Sequence, residues 1–310
     1  MKRDFTDLTD ITPEEMICII DKSIELKNNP DEYRKALKRK TLLMIFQKPS
    51  LRTRISFETG MMKLGGHAIY YDTSTSPMGK GETIHDTAKC ASRYVDIISA
   101  RLFEHSDIIE LAKNSRVPVI NMLTNFSHPC QILADLMAIK EKKGELKGLK
   151  LAFLGDGNNN VTHSLIQGCA MAGINISVAS PSGSEYEPKK EVIMDATQVA
   201  LNQSSKVIIT NDPKDAAMHA DIIVTDTWMS YHHKPEQKAE RVKIFSPYQV
   251  NEKIMKFAKH NAIFMHCLPA YRGYEVTAQV IDSPQSIVFD EAENRMWTEM
   301  AVMLFLLEKF

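Results

Sequence analysis

The feature that most constrains the fold is a repeated alternation of short apolar runs and longer segments of helical period. The runs are rich in β-branched residues, as expected for strands buried on both faces of a parallel sheet. One helical segment begins at Thr12-Pro13, with Glu15 three residues after the cap in the pattern of a capping box. This alternation predicts an α/β protein whose parallel sheets are covered by helices on both faces.

The predicted strands form two sets. The first contains TLLMIF from Thr41, HAIYY from His67, VDIISA from Val95 and VPVINML from Val117. The second contains KLAFLGD from Lys150, INISVAS from Ile174, KVIITN from Lys206, DIIVTD from Asp221 and AIFMHCL from Ala262. A long helix and the polar stretch KEKKGELKG divide the sets. We therefore predict two doubly wound domains, 1–140 and 149–290, joined by long helices, with an apolar helix over 291–310 returning to the first domain.

Composition excludes several classes of protein. The formal net charge of -1 over 310 residues gives no basic excess for non-specific nucleic-acid binding. The N-terminal residues have no apolar signal-like stretch, and no apolar run approaches the roughly 20 residues that span a bilayer. The five cysteines are scattered without a CxxC pair, which is typical of reduced thiols. We expect a soluble cytoplasmic protein.

Polar residues follow many of the predicted strands at their carboxyl ends, where open α/β sheets bind ligands. In the first set these residues are Ser50, Arg52, Thr53, Arg101, His128 and Gln131. In the second set they are Asn160, Asp226 and Cys267. Arginines, hydroxyls and a helix N-terminus suit a phosphate or carboxylate, whereas a carboxylate and an amide suit an amino acid. The pattern predicts a group-transfer site where a phosphorylated donor meets an amino-acid acceptor between the domains.

Each motif has a simpler interpretation. Ser50 could be an ordinary helix cap with the arginines in solvent. His128 could be a structural histidine, and Cys267 an inert buried thiol. The segment LGDGNNN lacks the third glycine of a dinucleotide-binding loop, which disfavours a nicotinamide dehydrogenase. The shared position of the polar residues at strand ends favours the functional interpretation.

Six motifs carry a family resemblance: SLRTRISFE, HPCQILADL, GDGNNNVTHS, DTWMS, MHCLPAYRGYEVT and FDEAENRMW. In order and spacing they resemble the aspartate/ornithine carbamoyltransferase family over nearly the whole chain. The combination of HPCQ with HCLP resembles its ornithine branch. The resemblance implies transfer of a carbamoyl group from carbamoyl phosphate to ornithine, giving citrulline and phosphate, within arginine metabolism in either direction.

The resemblance also implies roles for individual residues. Phosphate would be held by Ser50, Arg52, Thr53 and the backbone N–H of Leu51. The carbamoyl group would be held by Arg101, His128, Gln131, Arg295 and the backbone of Cys267 and Leu268. The acceptor would be bound by Asn160, Asp226 and Ser230, with Tyr231 beside it. Arg101, His128, Asp226 and Cys267 would be catalytic, without a cofactor or a metal ion. The family pattern further implies a homotrimer with shared sites and a cis bond at Leu268-Pro269.

The chain departs from the family pattern at three places. Leu51 replaces the usual threonine of the phosphate motif, which leaves the backbone N–H intact. Pro77 replaces a donor-contacting Gln or His, for which Lys80 could substitute. The acceptor loop, usually Ser-Met-Gly, is Ser230-Tyr231-His232. This change keeps N-acylated ornithine and putrescine open as acceptors, although Asn160 favours one with a carboxylate, and a non-catalytic ligand-binding relative is a further alternative. We expect Arg54 to point away from the phosphate and to stabilise its helix or a subunit contact.

Overall fold

A computed structural model describes residues 2–75, 78, 81–229 and 235–310 of the chain. The chain divides into two compact units. The first unit contains Met1–Met137 and Glu293–Phe310, and the second contains Ala138–Ala292. The chain thus leaves the first unit once and returns to it at the C-terminus.

The first unit is built on a four-stranded parallel sheet with the order β2-β1-β3-β4. Its strands are β1 (Thr41–Phe46), β2 (His67–Asp72), β3 (Ile97–Arg101) and β4 (Val119–Leu123). The chain moves from β1 outward to β2 and then returns to the other side of β1 as β3. The order therefore reverses between β1 and β3, and crevices for ligands form at such reversals in open parallel sheets.

Several helices of the first unit begin with a side-chain cap. The helices of this unit are α1 (Pro13–Asn28), α2 (Leu51–Lys63), α3 (Ile84–Ala91), α4 (His105–Asn114) and the start of α5 (Pro129–Lys143). The predicted capping box at α1 is present, because Thr12 accepts from the Glu15 backbone and the Glu15 side chain accepts from the Thr12 backbone. The Thr83 hydroxyl caps α3 by accepting from the backbone N–H of Asp86.

The second unit is built on a five-stranded parallel sheet with the order β7-β6-β5-β8-β9. Its strands are β5 (Lys150–Leu154), β6 (Asn175–Ala179), β7 (Val207–Thr210), β8 (Ile222–Val224) and β9 (Ile263–Met265). Here the order reverses between β5 and β8, so the segments after these two strands and after β9 leave neighbouring positions on one sheet edge.

Helices of the second unit lie between its strands, and one helix leads back to the first unit. They are α6 (Asn160–Ala172), α7 (Lys190–Asn202), α8 (Pro213–Ala217), α9 (Lys238–Phe245), α10 (Glu252–Met255), α11 (Ala278–Ile281) and α12 (Val288–Leu306). The later part of α12 packs closely on the first unit, since a Cβ placed on Gly60 of α2 would lie 2.9 Å from Met300 Cγ. Within the described residues, no helix is both long and apolar enough to cross a membrane.

The predicted fold class is confirmed: both sheets are parallel, both are wound in two directions from an inner strand, and the C-terminal helix packs on the first unit. The predicted bounds of the C-terminal helix were wrong at both ends. α12 begins at Val288 and ends at Leu306. Asp290 and Glu291 favour the earlier start because they lie in its first turn, near the positive end of the helix dipole. Glu308 adopts a left-handed φ of 54°, which stops the helix before the chain ends.

Candidate active site

The turn between β1 and α2 places Ser50 at the start of a helix. Ser50 is the N-cap of α2, and its Oγ accepts from the backbone N–H of Thr53 at 3.4 Å and lies 3.1 Å from Thr53 Oγ1. The first backbone N–H groups of a helix have no partner within the helix, so they are available to an anion. The capping interpretation of Ser50 is therefore correct, and it is compatible with phosphate binding at the same helix start.

Two arginines of this turn have different surroundings. Arg54 pairs with Glu58 one turn later, with Nε 3.1 Å from Oε2, and its guanidinium lies 4.0 Å from the ring centre of Tyr70. These contacts agree with the expected helix-stabilising role of Arg54. Arg52, the second residue of α2, is exposed.

Arg101 ends β3, the strand across the reversal from β1. Its Nη1 donates to Thr53 Oγ1 at 3.5 Å, so two residues from different strand ends meet at the predicted crevice. Lys48 is also close to Arg101: burial, with a further contribution from the charge of Arg101, lowers the pKa of Lys48 to about 8. Lys48 was not among the predicted site residues, although its position two residues before Ser50 was a usable signal.

The remaining donor-site candidates of the first unit are largely buried. His128 follows β4, and burial, assisted by the charges of Arg295 and Arg101, lowers its pKa well below the ordinary value. A neutral His128 can donate a hydrogen bond without adding a positive charge. Arg295 of α12 donates from Nη1 to Gln131 Oε1 of α5 at 2.8 Å. The structure thus brings Thr53 next to Arg101, and Gln131 next to Arg295, although they are far apart in the sequence.

In the second unit, Asp226 and Cys267 meet at the ends of β8 and β9. The Cys267 thiol donates to Asp226 Oδ1 over 3.3 Å, and the backbone N–H of Thr227 donates to the same oxygen over 2.7 Å. Burial raises the pKa of Asp226. A buried carboxylate with two donors on one oxygen retains acceptor capacity on the other, which suits an ammonium or amine group of a ligand.

Asn160 is the first residue of α6, and Asn159 before it is the N-cap, accepting from Thr162 N at 2.8 Å. The turn before α6 is fixed by Asp156, whose side chain forms a buried ion pair with Arg241 of α9. Arg241 also donates from Nε to the Trp228 carbonyl oxygen at 2.7 Å. This guanidinium therefore connects the turn that carries Asn160 to the segment that carries Asp226.

The turn after β9 has an unusual backbone. The peptide bond Leu268-Pro269 is cis, as the resemblance implied, and Leu268 has a φ of 58°. The Leu268 N–H donates to His266 Nδ1 at 2.9 Å, and His266 Nε2 lies 3.3 Å from Glu275 Oε1. His266 was not among the predicted site residues.

Asp226, His266 and Cys267 bring three possible metal-ligand atoms within 4.8 Å of one another. Asp226 follows β8, whereas His266 and Cys267 follow β9, so the proximity of Asp226 to the other two is not visible in the sequence. Both ring nitrogens of His266 already face Leu268 and Glu275, which argues against a ready-made metal site.

Five residues singled out in the sequence lie outside the described part of the chain. They are Pro77, Lys80, Ser230, Tyr231 and His232. The expectations attached to these residues therefore stay predictions.

Comparison with known proteins assigns the family. Residues 3–141 match the model of the aspartate/ornithine carbamoyltransferase carbamoyl-P binding domain, and residues 147–306 match that of the Asp/Orn binding domain. The chain is 48% identical to an ornithine carbamoyltransferase of Carboxydothermus hydrogenoformans, over 98% of this chain and 97% of that protein. It is 49% identical to one of Picrophilus torridus, over 99% and 100%.

The fold is similar to solved structures of the same family. The structure of ornithine carbamoyltransferase from Pyrococcus furiosus matches this fold with a TM-score of 0.93 and a sequence identity of 48%. The match covers 98% of this chain and 96% of the Pyrococcus chain. The two family models together take in nearly the whole chain, and the curated relatives match it end to end. The chain therefore belongs to the aspartate/ornithine carbamoyltransferase family.

Proposed function

We propose that this chain acts as an ornithine carbamoyltransferase, transferring the carbamoyl group of carbamoyl phosphate to the δ-amine of L-ornithine to give L-citrulline and phosphate. The observation that carries the proposal is end-to-end similarity, at 48–50% identity, to relatives named for this activity. None of these names favours N-acylated ornithine or putrescine as the acceptor.

In this proposal the first unit binds the donor. Ser50, Arg52 and Thr53, with the backbone N–H of Leu51, hold the phosphate at the start of α2. The N-cap geometry supports this role, because the helix start concentrates N–H groups and positive dipole charge. The carbamoyl group is held by Gln131, Arg295 and the backbone of Cys267 and Leu268.

The second unit binds the acceptor. Asn160 binds the ornithine carboxylate, and Asp226, with Ser230, binds its α-amino group. Asp226 and Cys267 also orient the δ-amine, which must lose its proton before it can attack because an ammonium group has no lone pair. Burial raises the pKa of Asp226, so its ionised carboxylate is stabilised when a positive charge lies beside it. This supports a role in binding the ammonium group of ornithine.

The proposed reaction proceeds by attack on the carbamoyl carbon, and its rate depends on how the charge on the carbamoyl oxygen is stabilised. The amine attacks the carbamoyl carbon, and negative charge accumulates on its oxygen, next to donors from Arg101, His128 and Thr53. Removing one such preorganised donor typically lowers kcat by about 10²–10³-fold. The bond from carbon to the phosphate oxygen breaks, and the leaving phosphate takes the proton of the amine. No step requires a cofactor or a metal ion.

We also propose a cytoplasmic homotrimer. Support comes from three apolar side chains on α2 that are exposed in the single chain: Leu51 at 73%, Ile55 at 52% and Met62 at 66%. Their spacing of four and seven residues places them on one face of the helix. β2, which packs next to α2, is an edge strand of its sheet. A second copy of the chain would cover this apolar face.

A turnover assay tests the proposal. Carbamoyl phosphate is offered with ornithine, N-acetylornithine or putrescine, and phosphate and the carbamoylated product are measured together. We expect ornithine to be preferred and Arg52→Ala to weaken donor binding, with Arg54→Ala as the matched neighbour that leaves donor binding intact. Preference for another acceptor would make Tyr231 the specificity residue. Donor binding without turnover would identify a non-catalytic relative.

A further inference from the structure

Glu299 is a buried carboxylate that the proposed mechanism does not use. It lies on α12, one turn after Arg295, and its side chain is 0% exposed while that of Arg295 is 6% exposed. Its Oε1 accepts from both Arg295 Nε at 3.0 Å and Nη2 at 2.7 Å. A single carboxylate oxygen therefore fixes one edge of the guanidinium plane.

The opposite side of the same guanidinium is fixed by α5. Arg295 Nη1 donates to Gln131 Oε1 at 2.8 Å, and Gln131 Nε2 donates to Asp135 Oδ1 at 2.8 Å. These four side chains form one hydrogen-bonded chain within the first unit, with a carboxyl group at each end. Because the Gln131 oxygen faces Arg295, its NH2 group must face Asp135, so the orientation of the amide depends on where Arg295 lies.

From this geometry we propose that Glu299 is a positioning residue for carbamoyl-phosphate binding: it holds the Arg295 guanidinium, and through it the Gln131 amide, in the orientation that the donor requires. The inference rests on the proposed function, which assigns Arg295 and Gln131 to the donor site. Without Glu299, Arg295 loses the two hydrogen bonds that fix its Nε and Nη2, and the long side chain gains rotamers that do not face the donor.

The ionisation of Glu299 supports this role. Burial raises its pKa to about 7, an increase that the charge of Arg295 partly offsets. Its Oε2 is buried and accepts no hydrogen bond from the described residues. The Ser56 hydroxyl of α2 lies near Glu299 and also lowers its pKa. That hydroxyl donates its hydrogen bond to the Thr53 carbonyl oxygen, at 3.2 Å. Protonation at Oε2 would remove the negative charge that holds Arg295.

Three groups near Glu299 keep their charge in this range. Burial, with a further contribution from the charge of Glu299, holds the pKa of the Cys130 thiol on α5 far above the ordinary value. His128 stays neutral, because burial lowers its pKa well below the ordinary value. Arg295 remains charged. Protonation of Glu299 should lower donor affinity as pH decreases through about 7. Lys48, whose pKa is about 8, also changes charge between pH 6 and 8, and the Glu299→Gln variant separates the contribution of Glu299 from that of Lys48.

Calorimetric titration with carbamoyl phosphate, without any acceptor, tests the inference between pH 6 and 8. We expect Glu299→Gln to raise the Kd at pH 8 by about tenfold, as is typical when a supporting residue no longer fixes a binding group. We also expect it to remove the part of the pH dependence centred near 7, while the KM for ornithine changes by less than about twofold. Glu293→Gln is the matched control on the same helix, since Glu293 is exposed.

An Arg295→Met background shows whether Glu299 acts through Arg295. If it does, Glu299→Gln has no further effect on the Kd in that background. An unchanged Kd in Glu299→Gln with a lower Tm would reduce Glu299 to a structural role and overturn the inference. Should the Gln variant not fold, Glu299→Asp decides the question: it keeps the charge but draws the carboxylate back by one methylene, and an unchanged Kd there would also overturn it. Absence of donor binding by the unaltered protein would instead contradict the proposed function.

Discussion

In the proposed function, acceptor binding depends most directly on Asp226. Its carboxylate is buried, and one oxygen already accepts from Thr227 N and from the Cys267 thiol. Because burial raises its pKa, the carboxylate is destabilised when the site is empty and gains most when a cation binds beside it. A residue in this state favours a ligand that carries an amino group.

We therefore expect Asp226→Asn to lower kcat/KM for ornithine by about 30-fold or more, the factor that corresponds to losing ~2 kcal/mol from a buried charge pair. The Kd of carbamoyl phosphate should change by less than about twofold, because Asp226 makes none of the proposed contacts with the donor. Steady-state kinetics and donor calorimetry measure the two quantities separately. Cys267→Ser, which keeps a donor to Asp226, should be less harmful than Cys267→Ala. A variant that lost donor affinity but kept ornithine affinity would contradict the assignment.

Residue types at strand ends were informative because a parallel sheet gathers its carboxyl ends on one edge. Thr53 and Arg101 were named from that rule alone, and they are in contact. Glu299 and Arg241 were not found, although both are buried partners of site segments. Helical periodicity shows which face of a helix is buried, but it does not show which side chain of another element that face meets.

A buried ion pair connects α9 to two segments that follow strands of the second sheet. Arg241 of α9 contacts Asp156, in the turn after β5, and the Trp228 carbonyl oxygen, in the segment after β8. Burial raises the pKa of Asp156 to about 6, an increase that Arg241 partly offsets. Removal of either partner alone leaves the other charge buried and unpaired, which is the costly case.

Arg241→Met should reduce the free energy of unfolding by about 3–5 kcal/mol, the typical cost of breaking a buried pair. The double variant Arg241→Met with Asp156→Asn should recover part of this loss, since no unpaired charge remains. Denaturant unfolding of the isolated protein measures both. Arg272→Met is a suitable control because Arg272 and its partner Asp282 are exposed, and a smaller change is expected. If Arg241→Met and Arg272→Met reduced the free energy of unfolding equally, the buried pair would have no special role.

The extent of each element was less predictable than its existence. All nine predicted strands are present, but most are shorter than the apolar runs that indicated them, as with β9, which covers only Ile263–Met265 of AIFMHCL. The last three residues of that run, His266, Cys267 and Leu268, leave the sheet and lead into the turn with the cis peptide bond. Apolar composition marks burial, and a buried turn next to an active site satisfies that condition as well as a strand does.

For the molecule as a whole, the exposed apolar face of α2 leads to a prediction about assembly. Met62 lies at the end of α2 away from the Ser50 turn, so a charge there should disturb a subunit contact without touching the donor site of its own chain. A carboxylate buried in an apolar interface loses hydration without gaining a partner. We expect Met62→Glu to convert a trimer of 35.1 kDa chains into smaller species in sedimentation experiments.

Met194→Glu is the matched control, because Met194 is 71% exposed on α7 of the second unit and lies outside the proposed contact. It should leave the trimer intact. If neighbouring subunits share donor sites, dissociated Met62→Glu should also bind carbamoyl phosphate more weakly, although its Ser50, Arg52 and Thr53 are unchanged. Full donor affinity in a dissociated variant would place the whole donor site within one chain. A monomeric unaltered protein would refute the proposed trimer, and the apolar face of α2 would then need another explanation.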